Sequence, residues 1–520
     1  MYVFKQTISH KALHHKNQQI KTMQIISTTK LNISKPNSLV NMYLINISTT
    51  FSLVIIFCFG ILNQAVAQKY MLNIDIKNYA NDTIIVGHYY GERQLVKDTL
   101  IANGKGKFVW NQEEKPLPGM YILVLKPENN FVQFFVNNED SKISLSLDEK
   151  DLSAAKFKGS KENTLFYDYL DYLKGKRILA DTLRAKIDRA DKLSTVDTAS
   201  KDLLDQLDKD VKAKQRMLIE EYPTSSLALL IRANNEIEVP KFEGTEEEQK
   251  YKRYYYYRSH YWDNIDIPHI SLIRSPFMHG KVDFYINKLS SQYPDSLIKT
   301  IDTVLTRLLP NPEVYKYYLA DFLNKYASMK MVGYDAIYTH LVDKYYSEGK
   351  ASWVSEETLT KMKENANELR PLLIGKKMPD FTTYEQDGKA VRLYDVRSKY
   401  TLVVFWAPDC GHCKKIMPNI VDFYAKNKDK GVKVIGVCTK GGDKVGTCWE
   451  GVIEKNMQDF VNTADEYQRY NSQIRIKSTP KLFILDENKE IIIKDFPAEE
   501  IDKIFNEIFE MTENQRTAKE

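Results

Sequence analysis

Cysteine is scarce in this sequence, with five residues among 520. Small exported domains with little hydrophobic core depend on several disulfide bonds for their stability. Five cysteines are too few for a chain of this length to be stabilised in that way. One of the five, Cys58, lies in an N-terminal segment that we expect to be removed. The remaining four lie between residues 410 and 448. An even, sparse set of this kind favours disulfide chemistry over a disulfide framework.

The sequence also lacks a hydrophobic run long enough to cross a bilayer as a helix. The apolar stretch at residues 51–62 has only 12 residues and is followed by Ala65-Val66-Ala67, the small-x-small pattern of a signal-peptidase site. Lysines and no acidic residue precede it. We therefore predict a signal peptide and leader over residues 1–67, cleaved after Ala67, and export to the periplasm or cell envelope. An uncleaved membrane anchor is the alternative.

Excess charge of one sign is missing once this leader is set aside. The whole chain carries 74 basic and 69 acidic residues, a net charge of +5. Because the leader contains six lysines and no acid, the remainder has a net charge near −1. Its composition therefore gives no argument for nucleic acid as a partner.

Residues 68–158 carry the patterning of short strands. Apolar and polar residues alternate over residues 72–76 and 143–147, and such a period of two indicates half-buried strands. Turn signals such as Asn103-Gly104 and Pro118-Gly119 separate them. We predict a small antiparallel β domain of the sandwich type, without a catalytic constellation.

Residues 159–369 change to helical patterning. Apolar residues recur there at spacings of three and four, and prolines punctuate the segment. We predict an all-α domain. Its histidines His260, His269 and His279 lie nine and ten residues apart, which does not match the spacing of metal ligands. We expect no metal site and no cofactor.

Residues 370–515 form the third predicted domain, and they carry the chemistry. A fully apolar strand, residues 401–405, leads to Cys410-Gly411-His412-Cys413, helical spacing follows, and residues 432–437 return as a second strand. This βαβ pattern places the cysteine pair at a helix N-terminus. Unpaired N–H groups and the helix dipole there lower the pKa of a thiol, so Cys410 is the predicted nucleophile.

The other residues of the motif have separate predicted roles. Cys413, one turn into the helix, resolves the mixed disulfide by attacking Cys410. His412 adds a donor or a positive charge that favours the thiolate. A structural disulfide or half of a zinc site is the alternative. The other two cysteines, Cys438 and Cys448, lie 25 and 35 residues past Cys413 and form either a second disulfide or two unpaired thiols.

The third domain resembles the thioredoxin superfamily and its TlpA-like branch. The resemblance rests on Phe405-Trp406-Ala407 before the CGHC pair, on Pro418 after it, and on Ser478-Thr479-Pro480 before the apolar run at residues 481–485. It implies an α/β thioredoxin fold with a cis Thr479–Pro480 bond. The implied substrate groove is lined by Trp406, Pro408, Thr479 and Pro480. The two preceding domains resemble uncharacterised domains fused to such redoxins in secreted Bacteroidota proteins.

Two residues depart from the family pattern. Thioredoxins place a buried Asp two residues before the Trp, where this sequence has Val404. TlpA-like proteins often place a Glu three residues after the second cysteine, where this sequence has Ile416. Either carboxylate would accept the proton of the buried thiol, so the proton acceptor for Cys413 is unassigned.

The expected function is thiol-disulfide exchange with exported proteins that carry thiols or disulfides. CGHC is similar to the pair of protein disulfide isomerases, which favours the oxidase or isomerase direction. The TlpA-like branch suggests the alternative of a reductant, supplied by a membrane redox partner and serving, for example, cytochrome c maturation. A client- or glycan-binding envelope protein with a secondary redoxin is the other alternative. The residues around Cys410 do not match the Pro-x-x-x-Thr/Ser-x-x-Cys pattern of peroxiredoxins.

Overall fold

The computed structural model describes residues 69–193 and 195–517. The predicted signal peptide and leader, residues 1–67, therefore lies outside the described residues. Strands come first along the chain, helices follow, and a mixed α/β region ends it. This is the order of fold classes that the sequence predicts.

The first region is a sandwich of two four-stranded sheets. Its strands are β1 (Tyr70–Lys77), β2 (Thr83–Tyr90), β3 (Arg93–Ile101), β4 (Lys107–Gln112), β5 (Gly119–Leu125), β6 (Asn130–Val136), β7 (Lys142–Asp148) and β8 (Asp151–Lys158). One sheet has the order β4-β1-β7-β8 and the other β3-β2-β5-β6. Neighbouring strands are antiparallel except β1 and β7, which run parallel. That pair differs from the simple antiparallel expectation because β7 enters the first sheet after the chain has crossed to the second.

Aromatic rings fill the space between the two sheets. Trp110 on β4 contacts Tyr121 on β5 and Phe134 on β6, with ring centroids 5.6 and 6.3 Å apart. These side chains point inward because alternate residues of each strand face the same side. The apolar residues of the alternating pattern therefore form the core of this domain.

The described residues of the second region form ten α-helices. They are α1 (Lys161–Lys192), α2 (Thr198–Glu221), α3 (Ser226–Asn234), α4 (Glu246–His260), α5 (Ile270–Ile273), α6 (Met278–Asn287), α7 (Pro294–Leu308), α8 (Pro312–Ser328), α9 (Asp335–Leu341) and α10 (Glu356–Leu369). A π-helical turn, Val342–Ser347, continues α9. Helices α7 and α8 each begin with a proline. A backbone N–H at the first position of a helix has no acceptor within the helix, so proline loses no hydrogen bond there. Side chains such as Ser160 at the start of α1 cap other helices.

The third region is a seven-stranded sheet with helices. Its strands are β9 (Thr382–Tyr384), β10 (Ala390–Arg392), β11 (Tyr400–Trp406), β12 (Val432–Cys438), β13 (Val461–Ala464), β14 (Lys481–Leu485) and β15 (Ile491–Lys494). The helices are α11 (Gly411–Asn427), α12 (Gly446–Glu454) and α13 (Ile501–Thr517). The strand order is β10-β9-β13-β12-β11-β14-β15. Strands β11, β12 and β13 are parallel, and β14 runs antiparallel to β11.

Strand β11 lies near the centre of this sheet, and every one of its residues is buried. Val404 and Trp406 face a core that includes Met417 of α11, and Phe405 faces a second core that includes Phe381 and Tyr470. A strand buried on both faces reads as a continuous apolar run, as this one does. The cysteine pair follows the carboxyl end of this strand.

None of the helices among the described residues is both long and apolar enough to cross a membrane.

Candidate active site

The cysteine pair sits where β11 ends and α11 begins. Cys410 is the N-cap residue of α11, and its Sγ accepts a hydrogen bond of 3.1 Å from the backbone N–H of Cys413. The two cysteines form a disulfide, with Cα atoms 5.2 Å apart. Oriented N–H groups at a helix start favour negative charge, so a thiolate at Cys410 is stabilised after reduction.

The two sulfurs differ in access to solvent. Cys410 is half-buried, whereas Cys413 is 0% exposed, inside the core under α11. Disulfide exchange needs an incoming sulfur to approach in line with the bond that breaks. The geometry therefore offers Cys410 to an external partner and leaves Cys413 to react within the chain.

The loop before β14 lies against the pair. The Thr479–Pro480 peptide is cis, as the resemblance implies, and the carbonyl oxygen of Thr479 is 3.4 Å from the Sγ of Cys410. Thr479, Pro480 and Pro408 are half-buried, so each presents some surface beside the sulfur. Three of the four predicted groove residues thus lie at the surface of the site.

Trp406 does not line the groove, and its prediction as a groove residue is wrong. The residue is only 1% exposed, and its ring packs under α12. A Cβ atom on Gly451 of that helix would lie 2.9 Å from the ring, so a glycine is required at this contact. Trp406 is buried because β11 is covered on both faces to its last residue.

His412 lies in the first turn of α11 and is exposed. Its imidazole makes no hydrogen bond to any residue in the described part of the chain. Its predicted effect on the Cys410 thiolate stays a prediction, carried by proximity along the helix rather than by a direct contact.

A second disulfide buttresses the segment before Cys410. Cys438, the last residue of β12, is bonded to Cys448 of α12, and both are buried. The next residue, Thr439, donates its N–H to the carbonyl of Trp406 at 2.8 Å, and Lys440 pairs with Asp409 at 2.7 Å. The sequence left this pairing open because loop closure between β12 and α12 is a three-dimensional property.

Replacing both members of this second pair, Cys438→Ala with Cys448→Ala, is expected to lower the free energy of unfolding by about 3 kcal/mol, because a crosslink restricts the unfolded chain. Urea unfolding of the oxidised protein measures the change. Exchange at Cys410–Cys413 with dithiothreitol is expected to continue, since neither buried sulfur is accessible. Loss of that exchange would contradict a purely structural role.

The proton acceptor for Cys413 is still unassigned. Val404 is completely buried and apolar, and Ile416 is half-buried. The carboxylate of Glu454 forms ion pairs with Lys414, the residue after Cys413, and with Lys455, each at 3.3 Å. Hydrogen bonds from Lys455 and Lys414 lower the pKa of Glu454, so this carboxylate holds a proton only in more acidic solution than usual.

Sequence reasoning missed a group of residues that hold the loop of Thr479. Glu368 of α10 pairs with Arg475 at 2.7 Å and with Lys477 at 2.5 Å. These three residues carry no motif, and they meet only because the second and third regions pack together. Within the described residues, no cluster of three His, Cys, Asp or Glu side chains is arranged to hold a metal ion.

Three family models match the chain, one in each region. Residues 374–494 match the AhpC/TSA family, residues 70–166 match a domain of unknown function, DUF4369, and residues 208–370 match another, DUF5106. The latter two descriptions assign no activity to the first two regions.

Relatives of known name match the third region. The thiol-disulfide oxidoreductase ResA of Bacillus thuringiensis is 26% identical over 119 residues, which are 23% of this chain and 67% of the relative. The ResA of Oceanobacillus iheyensis is 30% identical over 122 residues, 23% of this chain and 62% of the relative.

Two solved structures are similar to parts of this chain. A domain of a possible thiol-disulfide isomerase from Cytophaga hutchinsonii is 31% identical and covers 28% of this chain and 98% of its own, with a TM-score of 0.26. A thioredoxin-like protein from Bacteroides caccae is 17% identical and covers 52% of this chain and 96% of its own, with a TM-score of 0.41. The motif geometry and the sequence matches carry the assignment: the C-terminal region of this chain is a thioredoxin-like domain of the thiol-disulfide oxidoreductases.

Proposed function

We propose that this protein exchanges disulfides with exported proteins in the periplasm or cell envelope, in the oxidising or isomerising direction. The observation that carries the proposal is the unequal access of the two sulfurs. Cys410 is half-exposed at the start of α11, and Cys413 is enclosed behind it. A partner's cysteine therefore bonds to Cys410, and Cys413 reacts only within the chain.

Oxidation of a reduced client takes two exchange steps. A client thiolate attacks the Sγ of Cys410, the Cys410–Cys413 bond breaks, and Cys413 leaves as a thiolate that takes up a proton. A second client thiolate then attacks the client sulfur of the mixed disulfide, and Cys410 leaves. The client dithiol is oxidised to a disulfide, and the pair in this protein is reduced to two thiols.

The electrostatics of the helix start support this direction. N–H groups at the beginning of α11 stabilise a thiolate at Cys410, which stabilises the reduced protein over the oxidised one. A pair whose reduced form is stabilised is the stronger oxidant. The place of action is proposed from the apolar run at residues 51–62 and the Ala65-Val66-Ala67 pattern.

The reduction potential of Cys410–Cys413 tests this proposal. Equilibrating the protein in glutathione or dithiothreitol buffers is expected to give a value near or above about −180 mV, in the range of oxidants and isomerases. A value near or below about −270 mV would instead make the protein a reductant that depends on a membrane electron donor. If the pair shows no redox titration, the proposed exchange activity is contradicted and the binding-protein alternative is left. The Cys438→Ala, Cys448→Ala variant is the control, because it leaves a single titrating pair.

A further inference from the structure

We propose that a cleft between the helical region and the Thr479–Pro480 loop binds an extended polypeptide segment of the client whose cysteine reacts at Cys410. This inference rests on the proposed function and adds the place where the client's chain lies. The cleft has a volume of about 410 Å³. Tyr338 and Leu369 line it from the helical side, and Ser478 and Lys481 line it from the α/β side. Clefts between domains are common sites for ligands.

The wall of the cleft lies one residue along the chain from the carbonyl group that contacts the sulfur of Cys410. Ser478 in its wall is followed directly by Thr479, whose carbonyl oxygen is 3.4 Å from the Sγ of Cys410. Neighbouring Cα atoms are about 3.8 Å apart, and an extended chain advances about 3.3 Å per residue. A client joined to Cys410 therefore reaches the cleft with residues roughly two to four positions from its cysteine. A small thiol compound is too short to do so.

The helical region fixes the wall of the cleft that is nearest to the sulfur. Glu368 is 21% exposed. One of its carboxylate oxygens forms an ion pair with Arg475 at 2.7 Å, and the other forms one with Lys477 at 2.5 Å. Both cations lie in the loop that leads to Thr479. These ion pairs fix the position of the loop in the absence of a client, so the cleft is present before a client binds.

The lining suits a polypeptide better than an anion. Although four cations line the cleft, each is already paired with a carboxylate: Arg475 and Lys477 with Glu368, Lys494 with Asp335, and Lys481 with Asp495. These four cations and three carboxylates leave a net charge of only +1, and none of the four cations lacks a carboxylate partner that phosphate or a similar ion would have to displace.

One acceptor in the cleft lacks a donor. Asp335 uses its Oδ2 for Lys494, while its Oδ1 is buried with no hydrogen-bond partner among the described residues. Buried polar atoms are nearly always satisfied, so this oxygen is available to accept a hydrogen bond from a ligand. A backbone N–H supplies one, and the buried rings of Tyr326 and Tyr338 beside it offer apolar contact to a side chain.

The test compares two activated disulfides that differ only in chain length. One is a nine-residue peptide with a central cysteine bonded to 5-thio-2-nitrobenzoate, and the other is free cysteine bonded to the same group. In each reaction the Cys410 thiolate of the reduced protein attacks the substrate cysteine, and thionitrobenzoate leaves and is measured by its absorbance. Cys413 then attacks Cys410 and releases the substrate cysteine as a thiol, so the pair is oxidised and the substrate disulfide is reduced.

Ala327→Trp in the full chain places a large ring in the cleft. Ala327 is an exposed residue of α8 that lines the cleft, so no core side chain is removed. We expect the rate for the peptide to fall about tenfold relative to the rate for free cysteine. Asn365→Trp, an exposed position on α10 that also lines the cleft, is expected to give the same selective loss. The matched control is Ser328→Trp, one residue along α8 and outside the lining, which is expected to change neither rate.

The outcomes separate this inference from the proposed function. If the unaltered protein reacts with both substrates and the two tryptophan variants leave the ratio of rates unchanged, the cleft is not the client site, although the exchange activity stands. The same conclusion follows if Ser328→Trp is as selective as the cleft variants. If the unaltered protein reacts with neither substrate, the proposed function fails and the cleft proposal with it.

Discussion

Replacing Cys410 with serine is expected to reduce disulfide exchange to the background rate. A serine hydroxyl forms no bond to sulfur under these conditions, and Cys413 is 0% exposed, so no other sulfur of the pair can meet a partner. The measurement is the rate at which the protein transfers its disulfide to a reduced, unfolded protein, followed by loss of the substrate's free thiols. The variant is expected to keep its fold, because serine caps the start of a helix as well as cysteine does.

The partner variant Cys413→Ser is expected to behave differently. Cys410 still attacks a client disulfide, but the resolving thiolate is gone, so a covalent protein–client complex accumulates and is visible on a gel without reductant. Accumulation in Cys410→Ser instead would assign the roles of the two cysteines the other way round. Equal activity in Cys410→Ser and the unaltered protein would exclude the pair as the reactive centre.

Replacing Asp335 with alanine is expected to lower the free energy of unfolding by about 3–5 kcal/mol. Asp335 starts α9, and its partner Lys494 ends β15, so this ion pair joins the helical and α/β regions. The side chain of Lys494 is 4% exposed, and its one further acceptor among the described residues is the carbonyl of Leu372, at 2.6 Å. Removing the carboxylate leaves a buried ammonium group without a counter-ion, which is costly in a medium of low polarity.

Urea unfolding measures this loss, and a double variant supplies the control. Asp335→Ala with Lys494→Met removes both charges and keeps most of the lysine's apolar volume. We expect it to recover most of the lost stability, because an uncompensated charge is no longer buried. If the double variant is as unstable as Asp335→Ala alone, the loss comes from packing at α9 and not from the ion pair.

Sequence reasoning succeeded where structure is local. The apolar strand, the CGHC pair and the helical spacing after it lie within about 30 consecutive residues, so their patterns are readable directly. Position at a helix N-terminus follows from the same segment, and it alone predicts a reactive Cys410. The change from strand patterning to helical patterning after residue 158 is likewise a matter of neighbouring residues.

The errors arose where distant segments meet. Trp406 ends an apolar strand, and the sequence does not tell whether that last residue is covered. The covering helix α12 begins 40 residues later and approaches closely because Gly451 has no side chain. The sequence predicted the β domain, and the parallel pairing in it, β1 with β7, also joins residues about 70 positions apart.

By itself, then, the sequence determined the three successive fold classes, the position of the cysteine pair at a helix start and, through the family resemblance, the cis peptide bond. Tertiary structure decided which sulfur is accessible and that Cys438 bonds to Cys448. It also decided that Glu368 pairs the helical region with the loop of Thr479 and that Asp335 pairs it with the end of β15. The reason is physical. Periodicity and helix capping act between residues a few positions apart, whereas burial, ion pairing and the shape of a cleft depend on which distant surfaces exclude water together.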